Sequence, residues 1–264
     1  MTRTGLKLFF AGALCLASAA ADAAGPADKS KTNAKATSVK VWLLKQQGIF
    51  VGQYDVYVSD QGLRAVGVRS HTVIVSRPPA WDVVAFNTNA KTMWSGKLNE
   101  FRPTQGTQRL LISVGGSPNL TAITFPRSAN GTLSGVKTTR FFTDSAWTTA
   151  QTALYRKTLI SKIYPKTANY VTTGEVTNCR QPISLLERLY STPVQHLIPL
   201  EYTYVQFNGN NKIILTTASA KPSDAPRDWL TVPPGLRRVA SMEEVSMDST
   251  SQEGMNQMLD NIRP

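Results

Sequence analysis

Phe50-Val51-Gly52-Gln53-Tyr54-Asp55-Val56-Tyr57-Val58 decides the fold class. In an extended chain Phe50, Tyr54, Val56 and Val58 share one face, and Gln53, Asp55 and Tyr57 take the other. That period of two marks a half-buried strand; a helix would repeat its apolar residues every three or four positions. Ser59-Asp60-Gln61-Gly62 then supplies turn chemistry before Leu63-Arg64-Ala65-Val66 resumes the strand pattern.

Outward from this hairpin the same alternation recurs. Strands are expected from His71 to Ser76, Trp81 to Phe86, Lys91 to Leu98, Gln108 to Val114 and Leu120 to Phe125. Turn-rich pieces separate them: Arg77-Pro78-Pro79, Asn87-Thr88-Asn89, Gly115-Gly116-Ser117-Pro118 and Asn130-Gly131. Short strands at this spacing predict a meander, sandwich or barrel. Between Ser145 and Tyr164 there is no Gly or Pro, and Tyr155, Leu159 and Ile163 recur at spacing four, which predicts a helix closed by Pro165. A second short helix is expected from Ile183 to Tyr190, and a strand between the two from Tyr170 to Thr177. The β pattern returns from Leu200 to Phe207 and Lys212 to Thr217 across Asn208-Gly209-Asn210-Asn211, the strongest local hairpin signal in the chain. Further extended pieces run from Trp229 to Val232 and from Leu236 to Val239, around Pro233-Pro234-Gly235. Beyond Ser241 the chain is polar with scattered methionines, among them Met242 and Met247.

The first residues point to export. Arg3 and Lys7 precede an apolar run from Leu8 to Ala21, and Ala21-Asp22-Ala23 offers a small-residue cleavage site. The run of roughly 14 residues is short for a membrane-spanning helix. Cleavage after Ala23 is expected, with Ala21 as the alternative, which places the mature protein in the periplasm. Residues 24–39 read as a basic, flexible lead carrying Lys29, Lys31 and Lys35. The expected organisation is therefore a signal peptide (1–23), this lead (24–39), one β domain (40–240) with a helical insert at about 145–190, and a polar tail (241–264).

Composition narrows the function. The net charge is +12, and loss of Arg3, Lys7 and Asp22 on processing lowers it by one. A basic exported protein meets anionic headgroups or acidic proteins rather than nucleic acid. Of the two cysteines, Cys15 lies in the leader, so Cys179 has no internal disulfide partner. The chain has no H-x-x-x-H pair, no Cys cluster and no Asp-x-Asp-x-Asp run, so no metal site and no cofactor is expected. Gly115-Gly116-Ser117 is a turn rather than a nucleophile elbow, since Pro118 follows and no Gly comes after it. There is no P-loop or dinucleotide fingerprint. His71 and His196 have no spacing that ties them to Cys179, and no catalytic residue is assigned.

Aromatic side chains are what the strands offer instead. Trp42, Trp81 and Trp94 lie on or beside strands, and Trp81-Asp82-Val83-Val84-Ala85-Phe86 is apolar on both faces. A strand apolar on both faces is covered twice or lines a cavity.

Three stretches carry a family resemblance: Leu63-Arg64-Ala65-Val66, Arg77-Pro78-Pro79-Ala80-Trp81-Asp82-Val83-Val84, and Phe86-Asn87-Thr88-Asn89-Ala90-Lys91-Thr92-Met93-Trp94. Together with Val232-Pro233-Pro234-Gly235-Leu236 they resemble the periplasmic outer-membrane lipoprotein carriers, the LolA/LolB-like superfamily. The segment from Arg127 to Pro199 does not match that pattern. The resemblance implies a mainly β fold: a curved antiparallel sheet forming an open half-barrel, with helices over its concave face. It further implies a lipid- or lipoprotein-binding transport protein of the cell envelope, not an enzyme, that holds acyl chains in an apolar hollow without a chemical step. Trp42, Phe50, Tyr54, Trp81, Phe86, Trp94 and Phe101 are the expected apolar lining. The expected partners are lipid acyl chains or a lipidated protein, with another envelope protein as a further partner, no nucleic acid, and transient membrane contact at most. A second reading is an envelope interaction or structural protein docking an acidic partner through its basic surface; a third is a hydrolase.

Overall fold

The period of two around Tyr54 is a strand, Gly52–Ser59, in which Tyr54, Val56 and Val58 are buried while Asp55 and Tyr57 are half-buried. The computed structural model describes residues 38–103, 123–144 and 165–246. Within them twelve strands form one sheet: β1 (Ser38–Gly48), β2 (Gly52–Ser59), β3 (Gly62–Gly67), β4 (Thr72–Ser76), β5 (Val83–Asn87), β6 (Thr92–Gly96), β7 (Arg127–Leu133), β8 (Val136–Thr143), β9 (Pro165–Thr173), β10 (Ile198–Gln206), β11 (Asn211–Pro226) and β12 (Arg237–Arg238). Two helices accompany them, α1 (Arg180–Tyr190) and α2 (Glu243–Ser246).

The sheet order is β12-β6-β5-β4-β3-β2-β1-β11-β10-β9-β8-β7. The sheet is open, and antiparallel except for β12, which runs parallel to β6. Consecutive hairpins build the two wings, and the long-range pairing of β1 with β11 joins them.

Bulges interrupt the ladders at that seam and in the two pairs beyond it. Ala218 is the extra residue of β11 where Lys45 pairs with Ser219 and Gln46 with Thr217. Leu200 is extra in β10 opposite β9, and Ile214 is extra in β11 opposite β10. Each added residue bends its strand and deepens the twist, which curves the sheet. The interrupted ladder leaves carbonyls to satisfy. Gln46 Nε2 donates to Pro199 O at 2.7 Å, and Thr217 Oγ1 donates to Leu200 O at 2.6 Å.

The two faces of the sheet are covered differently. On the hollow side Leu44, Val56, Leu63, Ile74, Ala85, Tyr170 and Tyr202 join α1 and α2 in the larger core. The first helix supplies Ile183, Leu185, Leu186 and Leu189, the second brings Val245, and Met242 just before it joins them. On the outer side Val41, Val73, Val75 and Phe86 are covered by Trp229 and Leu230, with Val232 and Leu236 packed alongside. Arg64 pins this cover, donating from Nη1 to Trp229 O at 2.9 Å, its guanidinium 5.8 Å from the Phe86 ring centre. The double-faced apolar strand at residues 83–86 is thus covered twice by its own chain.

Several sequence expectations move. Asn130-Gly131 is no turn but lies inside β7; the reversal comes at Ser134-Gly135, where both residues have positive φ, as a type I′ turn requires. The strand expected from Tyr170 to Thr177 runs earlier, as β9, and the lead ends by Ser38, where β1 begins. The described part of the insert is therefore a strand followed by a helix. The tail does not begin as loose chain, since Met242 and Val245 are buried. Residues 123–126, the described end of the strand expected from Leu120 to Phe125, are not in a strand. The leader, the strand from Gln108 to Val114, the helix from Ser145 to Tyr164 and Met247 lie outside the described residues.

Candidate functional site

The helix expected from Ile183 to Tyr190 and the segment that leaves β6 border one site candidate. It is a cleft of about 400 Å³ between α1, the 191–194 turn and the segment that follows β6. That segment is a tight turn: Lys97 N donates to Glu100 Oε2 at 2.9 Å, and Phe101 N donates to Leu98 O at 3.3 Å. The turn drives Phe101 inward, where its ring meets Trp94 at 6.2 Å between centroids. Leu98, Phe101 and Pro103 form one wall, and Val194, an exposed apolar side chain, stands at the opposite rim.

Polar groups line the same space. Glu187 sits at the base on α1 and is buried. Its Oε1 accepts the backbone N–H of both Gln195 and His196 at 2.9 Å, which holds the post-helix turn against the helix. Burial pushes its carboxyl above the usual range, opposed by those two bonds and by His196. Thr192 Oγ1 accepts the hydroxyl of Tyr170 at 3.1 Å, tying the turn to β9. Arg102 and Arg188 are exposed and line the cleft. Burial of the Arg188 stem, then the charge of Arg102, hold the Arg188 guanidinium below its usual value.

Of the seven expected lining residues, Tyr54, Trp94 and Phe101 share one core on the hollow side with Trp42 and Phe50 packed against it, while Phe86 and Trp81 lie elsewhere. Phe101 alone of them lines this cleft. Tyr54 and Trp94 are core side chains, and Trp42 and Phe50 pack at the edge of that core. Phe86 faces the opposite side of the sheet, under Trp229, because β5 alternates and its hollow face belongs to Val83 and Ala85. Trp81 sits half-buried at the end of the β4–β5 turn with φ 53°. Sequence reasoning missed Leu98, Arg102, Glu187, Arg188 and Val194, which lie beside predicted elements rather than in any motif.

A second cleft, of about 490 Å³, opens on the outer face among Tyr57, Arg64, Asp224, Asp228 and Trp229. No His/Cys/Asp/Glu group able to hold a metal occurs among the described residues. No protein-family model and no curated protein matches the chain. Among solved structures the chain is similar to an uncharacterized conserved protein from Thermus thermophilus. That likeness has 10% identity over 75% of this chain and 89% of the other, at a TM-score of 0.38.

Proposed function

We propose that this chain is an exported, periplasmic binder or carrier of acyl-bearing molecules, with no chemical step. The observation that carries this reading is the cleft beside α1, with its apolar wall of Leu98, Phe101 and Pro103, Val194 at its rim, and its two cationic side chains. Its volume of about 400 Å³ lies within the usual range for small-molecule sites. An acyl chain entering it leaves water at about 0.8 kcal/mol per methylene, ample drive without any reaction. The hollow itself is filled by side chains of this protein. The proposed site is therefore the cleft beside α1 rather than the hollow.

Mass spectrometry of the protein purified from the periplasm without detergent, native and then denatured, tests the reading. Extra mass that extracts as phospholipid or acylated peptide supports it. A bare protein that also refuses a fluorescent fatty-acyl probe, and binds an acidic envelope partner with steep salt dependence, would move the reading to a docking protein.

A further inference from the structure

Arg188 has an ordinary reason to be where it is, since a cation in the last turn of α1 complements the helix dipole. Arg102 has no such reason. It follows the buried Phe101, donates from Nη1 to Phe101 O at 3.1 Å, and lines the cleft. Neither arginine belongs to any of the four ion pairs found among the described residues. Among the described residues that line the cleft the one carboxylate is Glu187, which is buried, with Oε1 committed to two backbone N–H groups.

Two like charges are thus held at one rim, above an apolar wall. Like charges side by side raise the free energy of the empty site, and an oxyanion between them relieves it. Guanidinium groups also suit this task, because their forked donors match phosphate and carboxylate oxygens.

Resting on the acyl-binding reading above, we propose that Arg102 and Arg188 select the headgroup: the cleft takes a lipid whose acyl chain lies on Phe101 and Leu98 and whose anionic oxygens are held by the two guanidinium groups. A zwitterionic headgroup brings its own cation to the rim and loses this advantage. The remaining exposed surface of both side chains means that the selection weakens as salt rises.

The test uses the full chain and three probes: lysophosphatidylglycerol, lysophosphatidylcholine of the same acyl chain, and inorganic phosphate. Calorimetry is run on the unaltered protein and on Arg102→Gln/Arg188→Gln, whose folding is checked by circular dichroism. The expected result is binding of the anionic lysolipid about tenfold tighter than the zwitterionic one. The double variant should erase that preference by weakening the anionic lysolipid more than the zwitterionic one. Equal affinities in the unaltered protein, or a preference that survives in the variant, would overturn headgroup selection and leave acyl binding standing. Inorganic phosphate binding as tightly as the anionic lysolipid would overturn it too, by making the arginine pair a free-oxyanion site. Failure of both lysolipids to bind would instead remove the acyl-binding reading on which the inference rests.

Discussion

The ring of Tyr190 lies against the backbone of Gly48 so closely that a Cβ at that glycine would sit 2.7 Å from Cδ1 and 3.1 Å from Cε1. This contact seats the end of α1 on the end of β1, and a Cβ would also meet Val51 Cγ2 at 3.0 Å. Because Tyr190 is fully buried, the ring has no room to swing away. Gly48→Ala is expected to destabilise the protein by about 1–3 kcal/mol, the usual cost of overpacking. Urea denaturation of Gly48→Ala, Tyr190→Leu and the double variant checks it. A coupling that restores much of the loss in the double variant would assign the cost to this contact.

Two buried tyrosines on the same core should respond oppositely to loss of the hydroxyl. Among the described residues the hydroxyl of Tyr190 has no hydrogen-bond partner, whereas that of Tyr170 donates to Thr192 Oγ1 at 3.1 Å. Tyr170→Phe is expected to cost about 1 kcal/mol, while Tyr190→Phe is expected to be neutral or stabilising, since no bond is lost. Thermal melts of the two variants, run side by side, give the comparison directly. A larger loss in Tyr190→Phe than in Tyr170→Phe would contradict it.

Glu187 should give stability a distinct pH dependence. Its folded pKa is raised above the ordinary 4.5 by burial, so the folded state binds more protons than the unfolded state between those two values. This group's contribution to stability therefore falls as pH rises from 4.5 through the raised folded pKa, and is level above it. Glu187→Gln keeps an oxygen for Gln195 and His196 and should remove that slope. Glu187→Ala should instead lose about 1–3 kcal/mol, because both N–H groups are left unmet. Denaturant titrations from acid to neutral pH on the three proteins separate the charge from the bonds.

How far the sequence reaches differs from strand to strand. In β2 one face is buried and the other wet, so alternation survives in the residues themselves. By contrast β7, Arg127-Ser128-Ala129-Asn130-Gly131-Thr132-Leu133, is an edge strand exposed along almost its whole length. No apolar face is needed there, no period appears, and Asn130-Gly131 imitates a turn. The open β sheet was legible from local hairpins. The β1–β11 seam was not, because its register is set by pairing between opposite ends of the domain. The candidate site was the least legible part: Arg102 and Arg188 line one cleft only because the fold brings the segment after β6 beside α1, and nothing in their spacing announces it.

Three residues close the meander turns at equal spacing, His71, Trp81 and Lys91, all with φ near 53°. The backbone N–H of His71 bonds to Gly67 O and that of Trp81 to Arg77 O, at 3.1 and 3.0 Å. Left-handed backbone costs a side chain with a Cβ roughly 1–2 kcal/mol, less the extra unfolded-state freedom that glycine brings. The side chains of His71 and Lys91 are exposed. His71→Gly and Lys91→Gly are therefore each expected to stabilise by about 0.5–1 kcal/mol. Trp81→Gly is expected to gain less or lose, because the half-buried indole gives up contact. Thermal midpoints of the three variants rank the effects.

The acyl-binding reading needs a variant that harms the cleft and spares the core, and Trp94 is the wrong place for it. Trp94 is buried against Phe101, so Trp94→Glu would place a charge in the core and unfold the protein. Val194, 57% exposed at the rim of the cleft, is the better position. An aspartate there meets water in the free protein, so stability should change little, but it would lie against the acyl chain and beside a bound anion. Val194→Asp is expected to weaken a fatty-acyl probe about tenfold, through lost apolar contact and added repulsion. Fluorescence titration reads the affinity and a thermal melt confirms the fold. Unchanged affinity in a folded Val194→Asp would place the acyl chain somewhere other than this cleft. The outer-face cleft beneath Trp229 would then be the next position to probe, through Tyr57→Ala.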